Sequence, residues 1–550
     1  MDRRSFLGHG ALATGLVLGR GLDLLSEDVK NASATPPVDT NSGKIRGYIQ
    51  NVGSKKVYTF KGVPYGASTA GKRRFMPPEK PQAWTAVKET VEYGPRCPQS
   101  RGGGGGLVPE VDVMEWKGPM SEDCLNLNVW TPGLKGADKR PVMVWFHGGG
   151  YDRGSANFSQ YDGRNLAGKH DVVMVGVNHR LNIFGYLYMP EYGGEKFAHS
   201  GNQGLQDLVL ALQWVRDNIE NFGGDPNRVT IFGQSGGGAK VSALMGMPGA
   251  KGLFHRAIAM SGSQVTAMER DDASRNLNNV LRALNMYATQ IGKLQDLSME
   301  ELMDLSVRRY PLNGDRPLRW GPAIDAITLP KSPFDPAASE YSETVPMMIG
   351  STETEITWNA NQSYDPLDDQ ALHKKMKEAL RADDAATDRV IAVYKKNRPK
   401  ASNLDLYLIA ASDAGQMRLG PALEAERKVM QGKAPVYKYY FQWYSPVRGG
   451  QLRAMHTMDI PFAMDIVEIS KSEVGTGKEQ QPLADKMSAA FVSFAATGKP
   501  ATKLLPEWPA FNLETRQTMV FNNECKVVND PYREERLAIE AASKGTGLAG

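Results

Sequence analysis

The sequence predicts an α/β fold with a mostly parallel central sheet and helices on both of its faces. Largely apolar segments without alternation are typical of strands buried on both sides of a parallel sheet, and five occur, at residues 142–146, 172–177, 229–232, 345–349 and 436–441. Helical patterns lie between them; in residues 206–219, apolar side chains recur at three- and four-residue steps. Strands and helices that alternate along a chain favour right-handed parallel crossovers.

The length and charge of the chain restrict the classes of protein that it can belong to. Its 550 residues are enough for at least one large core. The 65 basic and 61 acidic residues leave a net charge of +4, and no basic block is longer than Lys72-Arg73-Arg74. Because a nucleic-acid partner demands a concentrated positive surface, we expect none.

Residues 1–34 have the features of an export signal. Arg3-Arg4 precedes a weakly apolar stretch at residues 6–19, which is too short to span a bilayer, and Ala32-Ser33-Ala34 offers the small-residue pattern that a signal peptidase cuts. This order resembles a twin-arginine-type signal. It predicts a mature chain that begins at Thr35, is periplasmic or secreted, and keeps no stable membrane anchor. The alternative is an amphipathic or buried N-terminal helix.

Residues 35–550 are predicted to form one domain with two helical insertions. The insertions lie near residues 265–319 and 358–433, which are rich in helix formers and charge. No linker rich in Pro, Gly or Ser flanks either segment. We therefore expect the insertions to lie over the sheet rather than to form separate domains.

A serine follows one of the predicted strands in a pattern associated with nucleophilic catalysis. Residues 229–232 lead into Gly233-Gln234-Ser235-Gly236-Gly237, and a helix is expected at residues 239–245. In a nucleophile elbow the serine occupies a strained strand-to-helix turn, and the glycines two residues before and after it let the backbones pass. The strand and helix around the motif favour this interpretation over a structural glycine turn.

A glycine-rich loop directly after residues 142–146 is the candidate oxyanion hole. The loop is Phe146-His147-Gly148-Gly149-Gly150-Tyr151. A serine alkoxide needs N–H donors aimed at the negative oxygen of the tetrahedral intermediate, and an H-G-G-G loop supplies them in hydrolases. The carboxyl end of a strand is also where α/β sheets bind ligands, which favours this role over a flexible glycine loop.

Several longer motifs resemble the type-B carboxylesterase family, which includes the cholinesterases and bacterial para-nitrobenzyl esterases. The most distinctive is Glu-Asp-Cys-Leu-Asn-Leu-Asn-Val-Trp-Thr-Pro at residues 122–132, and the others lie at residues 60–65, 74–78, 222–226 and 254–263. The resemblance implies an α/β-hydrolase fold in which the helical insertions lie over the active site. It also implies that Ser235 is the nucleophile.

The same resemblance implies roles for several further residues. The backbone amides of Gly149, Gly150 and Gly236 would form the oxyanion hole, and Ser261 falls where the family often keeps a buried serine behind the site. Cys97 and Cys124 match a family disulfide, which an exported protein can keep oxidised. Cys525 has no obvious partner and is expected to be a buried free thiol. No cofactor or metal ion is expected.

The catalytic base is predicted to be His456. Of the eight histidines, His9 leaves with the signal, His147 lies in the candidate oxyanion loop, and His179 stands where the family usually has tyrosine. The remaining four, His170, His199, His255 and His373, have the surroundings of surface or helix-face residues. His456 lies in residues 455–462, which resemble the catalytic-histidine loop of the family, and it follows the serine in the order expected for α/β hydrolases.

The acid that orients the histidine is expected just after residues 345–349. Gly350-Ser351-Thr352-Glu353-Thr354-Glu355 contains two carboxylates two residues apart. The spacing of the family motif from Gly350 places the acid on Glu355, with Glu353 as the alternative.

These residues predict a serine carboxylesterase that acts on a small-molecule ester through an acyl-enzyme. Family members often carry glutamate immediately before the nucleophile, and this chain has Gln234. A cationic alcohol group is therefore disfavoured, and we expect neutral esters with short acyl or aryl groups. Amide or carbamate hydrolysis and lipase activity by the same residues are alternatives, as is a non-catalytic binding protein of the same fold.

Overall fold

A computed structural model describes residues 32–100, 118–136, 138–358 and 362–543. The predicted export signal lies outside the described residues except for its last three positions. Within the described residues, no helix combines the length and the apolar character needed to cross a membrane.

A large mixed sheet forms the centre of the molecule. The strands of the described residues are β1 (Ser33–Ala34), β2 (Val38–Thr40), β3 (Gly43–Arg46), β4 (Tyr48–Val52), β5 (Lys55–Pro64), β6 (Lys88–Glu89), β7 (Asn126–Thr131), β8 (Arg140–Phe146), β9 (Val173–Val177), β10 (Gly224–Gln234), β11 (Arg256–Met260), β12 (Met347–Thr352), β13 (Val436–Phe441), β14 (Gln517–Phe521) and β15 (Lys526–Asn529). Twelve of them pair in the order β1-β4-β5-β7-β9-β8-β10-β11-β12-β13-β14-β15, while β2, β3 and β6 form a small second sheet.

The central part of the large sheet is parallel, and both edges are antiparallel. Strands β9, β8, β10, β11, β12, β13 and β14 run parallel to their neighbours. The pairs β1–β4, β4–β5, β5–β7, β7–β9 and β14–β15 are antiparallel. All five strand segments expected from the sequence fall in this parallel part. The predicted fold class, a mostly parallel sheet flanked by helices, is confirmed.

Helices cover the sheet on both faces. Those of the described residues are α1 (Arg164–His170), α2 (Asn182–Tyr186), α3 (Pro190–Gly193), α4 (Gln203–Asn218), α5 (Gly236–Met245), α6 (Arg270–Ala283), α7 (Met299–Val307), α8 (Asp369–Leu380), α9 (Asp384–Asn397), α10 (Asn403–Asp413), α11 (Gln416–Gln431), α12 (Ile460–Ala463), α13 (Lys471–Val474), α14 (Gln480–Thr497) and α15 (Arg533–Ser543). The amphipathic pattern at residues 206–219 corresponds to α4.

Two apolar cores lie on opposite sides of the sheet. Strand β8 contributes Val142 and Val144 to one core, which also contains the apolar side chains of α4 and α5. It contributes Met143 and Trp145 to the other, where α1, α12 and α14 pack. Successive side chains of a strand point to opposite faces, so the buried residues 142–146 of β8 must all be apolar.

The two segments predicted as insertions are largely helical. Residues 265–319 contain α6 and α7, whose apolar side chains join the core of α4 and α5. Residues 358–433 contain α8 to α11. Helices α8, α9 and α10 pack with α15 around a separate apolar cluster that includes Leu372, Tyr394 and Ile539. That residues 35–550 form a single domain stays a prediction.

Candidate active site

Ser235 occupies a sharp turn between the central strand β10 and helix α5. Its backbone has φ 58° and ψ −126°, a conformation that costs a non-glycine residue energy and persists only where the surroundings enforce it. The Ser235 N–H donates to the Met260 carbonyl oxygen at 2.8 Å, which ties the turn to the end of β11. The serine is only partly buried, whereas residues 229–234 of β10 before it are buried. The local geometry is that of a nucleophile elbow.

The glycines around Ser235 are required by close backbone contacts. A Cβ atom at Gly233 would lie 2.6 Å from both the Gly237 carbonyl carbon and the Phe146 carbonyl oxygen, and one at Gly237 would overlap the same oxygen. Strand β10, helix α5 and the end of β8 can therefore approach only without side chains at these positions.

The glycine loop after β8 lies directly against this turn. Gly149 and Gly150 have φ values of 89° and 61°, in the left-handed region that favours glycine. A Cβ atom at Gly148 would lie 3.4 Å from the Ser235 Cβ, and one at Gly236 would overlap the Gly150 backbone. Among the hydrogen bonds of the described residues, none uses the backbone N–H of Gly149, Gly150 or Gly236. These donors are therefore uncommitted and lie beside the serine.

His456 and Glu355 form a buried pair. The His456 Nδ1 lies 2.5 Å from the Glu355 Oε2, and the two side chains are 4% and 1% exposed. The other carboxylate oxygen accepts the Thr352 N–H at 2.8 Å. The two loops follow the neighbouring strands β12 and β13, and the Thr354 N–H donates to the Ala454 carbonyl at 3.1 Å. Adjacent parallel strands thus bring the acid and the histidine together.

Glu353 is engaged elsewhere. Its Oε1 accepts Arg398 Nη1 at 2.8 Å and Gln442 Nε2 at 2.7 Å, and its Oε2 accepts the Tyr444 hydroxyl at 2.8 Å. Of the two carboxylates left open by the sequence, the structure therefore brings Glu355 to His456.

Gln234 also contacts the imidazole. Its buried side-chain amide nitrogen lies 3.3 Å from both His456 ring nitrogens. A neutral amide thus occupies the position beside the histidine where a glutamate would place a negative charge.

Sequence reasoning missed Asp459, a wholly buried carboxyl in the His456 loop. The Tyr439 hydroxyl donates to its Oδ2 at 2.7 Å. Burial raises the pKa of Asp459 to about 7, and the charge of Glu355 acts in the same direction, while the Tyr439 hydrogen bond and His456 oppose the shift. The one sequence signal is its position three residues after His456, which does not show that the side chain is buried.

His147 and His179 form a stacked pair under the glycine loop. Their ring centroids are 4.8 Å apart and the planes differ by 12°. Burial and the nearby Lys240 lower the pKa of His147 to about 3 and that of His179 well below its usual range. Both rings are therefore neutral at pH 7, as buried packing residues should be.

The remaining residues singled out from the sequence are Ser261 and the three cysteines. Ser261 is fully buried, and its N–H donates to the Gly350 carbonyl at 2.8 Å between β11 and β12. Cys97 and Cys124 are buried thiols in the structure, which does not contain the predicted disulfide. A hydrogen bond to Cys97, together with burial, raises the pKa of the Cys124 thiol. Cys525, expected to be buried, is a partly exposed thiol.

The fold and the arrangement of these side chains define an α/β hydrolase. A strained serine at the carboxyl end of a central parallel strand, adjacent backbone donors and a buried histidine–carboxylate pair after β12 and β13 are the parts that such an enzyme needs.

Comparison with known proteins gives the family. A model of the carboxylesterase family matches residues 34–540. The chain therefore belongs to the carboxylesterase family and is a carboxylic ester hydrolase.

Individual relatives agree in both sequence and structure. The para-nitrobenzyl esterase of Bacillus subtilis is 34% identical over 511 residues, which cover 91% of this chain and 97% of the relative. A carboxylesterase structure from Geobacillus stearothermophilus has a TM-score of 0.76 at 32% identity and covers 92% of this chain and 100% of that one. An esterase from Clostridium hathewayi, described as hydrolysing aliphatic aromatic polyesters, has a TM-score of 0.78 at 32% identity, with 92% and 98% coverage.

Proposed function

We propose that Ser235, His456 and Glu355 are the catalytic residues of this carboxylesterase. The observation that carries the proposal is the 2.5 Å contact between His456 Nδ1 and Glu355, on strand ends beside the elbow that presents Ser235. A carboxylate bound to Nδ1–H holds the proton on that nitrogen, so Nε2 is the nitrogen that can accept the serine proton. The pair is therefore suited to act as an oriented general base.

The proposed reaction proceeds in two displacements. The Ser235 Oγ attacks the acyl carbon while its proton moves to His456 Nε2, and this proton then passes to the alcohol oxygen as the ester C–O bond breaks. Water attacks the acyl-enzyme by the same proton route and releases the acid. Glu355 stays ionised and stabilises the imidazolium.

The amides of Gly149, Gly150 and Gly236 are proposed to form the oxyanion hole. Their N–H groups are uncommitted among the described residues and lie in the backbone segments packed against Ser235. A preorganised donor of this kind contributes about 3–4 kcal/mol to transition-state stabilisation in related chemistry.

The proposed substrates are neutral esters with short acyl or aryl groups. The neutral Gln234 amide contacts the His456 imidazole. The site therefore has no carboxylate at this position to attract a cationic alcohol. The relatives named for para-nitrobenzyl esters and aliphatic aromatic polyesters support the aryl class.

A panel of esters tests this substrate class. We expect higher kcat/KM for 4-nitrophenyl acetate and butyrate than for the palmitate, and no jump in rate when a long-chain ester passes its solubility limit. A jump would indicate a lipase. Wild-type enzyme should also favour 3,3-dimethylbutyl thioacetate over its cationic isostere acetylthiocholine.

A charge introduced at Gln234 gives the matched comparison within the same test. Gln234→Glu is expected to raise the ratio of kcat/KM for the cationic over the neutral thioester by roughly fivefold, because opposite charges attract at short range. Gln213→Glu, on α4, is the control and should leave the ratio unchanged. An unchanged ratio in Gln234→Glu would contradict the assigned position of this side chain.

We further propose that the chain is exported after cleavage between Ala34 and Thr35, and that Cys97 and Cys124 then form a disulfide. Cleavage would remove the exposed edge strand β1. Thr35 is buried and anchored, since its N–H donates to the Gly47 carbonyl at 2.9 Å and its hydroxyl accepts the Gly47 N–H at 3.0 Å. The two cysteines are already within hydrogen-bonding contact.

The intact mass of the exported protein checks both statements. We expect the mass of residues 35–550 less two hydrogen atoms, with the two hydrogens restored by reduction under denaturing conditions. A retained Met1, or a mass unchanged by reduction, would contradict the first or the second statement respectively.

A further inference from the structure

Lys240 is a buried lysine on the helix that follows the nucleophile. It is fully buried, and its Nζ donates to the carbonyl oxygens of His147 at 3.0 Å and of Gly150 at 2.8 Å. On α5 it lies four residues after Gly236, so the two share one helix face. The glycine loop therefore runs along this face, with Gly236 and Lys240 both contacting it.

The two carbonyls bound by Lys240 flank the candidate oxyanion donors. One belongs to the peptide between residues 147 and 148, and the other to the peptide between residues 150 and 151. The two peptides between them carry the N–H groups of Gly149 and Gly150. Both glycines have positive φ and lack a Cβ atom that would restrict them. The orientation of these donors therefore depends on contacts from outside the loop.

The charged groups around Lys240 do not neutralise it. Asp152 is the acid whose charge acts on it, yet Lys240 forms no ion pair among the described residues. The neighbouring titratable groups are His147 and His179, which are neutral, and Tyr151, whose ring centroid lies 5.5 Å from Nζ. Glu424 lies beyond Tyr151, where the Ser242 hydroxyl and the Gln264 N–H bind it and burial raises its pKa to about 8. An ammonium buried without a carboxylate partner is costly.

We propose that Lys240 is a positioning residue for the oxyanion hole. Its side chain hydrogen-bonds both ends of the glycine loop and places positive charge next to the peptides that stabilise the oxyanion. This inference rests on the proposed role of Ser235 and its adjacent amides. Fixed donors and a nearby charge act on the negative oxygen of the transition state far more than on the neutral ester. The effect should therefore appear in kcat rather than in KM.

Protonation of Lys240 makes part of this effect depend on pH. Burial lowers the pKa of Lys240 to about 7, with Asp152 opposing the shift. Below that pH the side chain is an ammonium that donates to the carbonyls and carries charge. Above it the neutral amine still donates hydrogen bonds, but the charge is lost. The advantage of wild type over a neutral variant should thus decrease as the pH rises through about 7.

The test compares substitutions at Lys240 with a matched buried lysine. Lys428 also donates to two backbone carbonyls, of Ser342 at 2.6 Å and Glu343 at 3.0 Å. Those residues precede the N-terminal end of β12, whereas the candidate site follows the carboxyl ends of the strands. Lys428→Met therefore controls for the loss of a buried lysine without touching the glycine loop.

We expect Lys240→Met to lower kcat for 4-nitrophenyl acetate by about 10- to 100-fold at pH 6, less than the loss of a complete donor, with KM within about threefold of wild type. A boronic acid transition-state analogue should bind more weakly by the same factor as kcat/KM falls. The ratio of wild-type to Lys240→Met kcat should decrease between pH 6 and pH 8.5. Lys240→Arg should recover part of kcat, and Lys428→Met should keep wild-type kcat.

Three outcomes would overturn the proposal: a Lys240→Met kcat equal to that of wild type, a ratio that does not change with pH, or an equal loss in Lys428→Met. If Lys240→Met does not fold, Lys240→Gln carries the same pH comparison, because the amide can still donate to a carbonyl but carries no charge. Full activity in Ser235→Ala would instead refute the proposed catalytic serine, so the two failures are distinguishable.

Discussion

Replacing Ser235 with alanine is expected to lower kcat for 4-nitrophenyl acetate by about 10⁴- to 10⁶-fold, as loss of the nucleophile does in other serine hydrolases. The substitution removes the oxygen that would form the acyl-enzyme bond. It keeps the Cβ atom and the strained backbone of the elbow, φ 58° and ψ −126°. Thermal unfolding should therefore occur within a few degrees of the wild-type temperature. Steady-state rates and a melting curve check both parts.

A second serine, on the helix that follows Ser235, provides the control for this substitution. The Ser242 hydroxyl donates to the buried Glu424 Oε2 at 2.7 Å, so Ser242→Ala should lower stability by about 1–3 kcal/mol and leave kcat within about threefold. A fluorophosphonate reagent should label wild type and Ser242→Ala, but not Ser235→Ala. Turnover or labelling at the wild-type level in Ser235→Ala would exclude Ser235 as the nucleophile.

The parallel part of the sheet was predictable from sequence because both of its faces are buried. Residues 142–146 of β8 must all be apolar to serve two cores, and such a run is visible without knowledge of its neighbours. Strands β4 and β5 lie at the antiparallel edge and include exposed residues, so their pattern is weaker. The pairing of β5 with β7 depends on residues that are distant in sequence, which local patterns do not show.

The candidate site also combines features that are visible in the local sequence with features that depend on tertiary packing. The elbow at Ser235 and the loop at residues 146–151 are local arrangements, so their residue types reveal them. Lys240 and Asp459 are residue types that are usually solvated, and only tertiary packing shows that their side chains are buried beside the site. The choice between Glu353 and Glu355 could not be made from the residues alone, because Glu353 is bound by Arg398, which follows α9 and is 45 residues away in the chain.

Glu355→Gln is expected to lower kcat by about 10²- to 10⁴-fold with the fold intact. Glutamine has nearly the shape of glutamate and can still contact His456 Nδ1 and the Thr352 N–H. However, its amide carries no charge to stabilise the imidazolium, and when its NH₂ group faces Nδ1 it favours the wrong tautomer; the equivalent change in a serine protease costs about 10⁴-fold. The measurement is kcat, with circular dichroism to verify folding.

Glu353→Gln is the matched partner experiment, since it makes the same chemical change two residues away. It weakens a buried ion pair with Arg398, whose side chain keeps Glu535 as a partner at 2.9 Å, and should lower the free energy of unfolding by about 1.5–3 kcal/mol. Because Glu353 contacts Arg398, Gln442 and Tyr444 rather than His456, kcat of the folded variant should stay within about threefold of wild type. If Glu353→Gln lost activity while Glu355→Gln kept it, the acid would be Glu353 and the His456 contact would have no catalytic role. Loss in both variants would instead mean that the Arg398 network holds the loop that carries Glu355, so stability and activity would fall together.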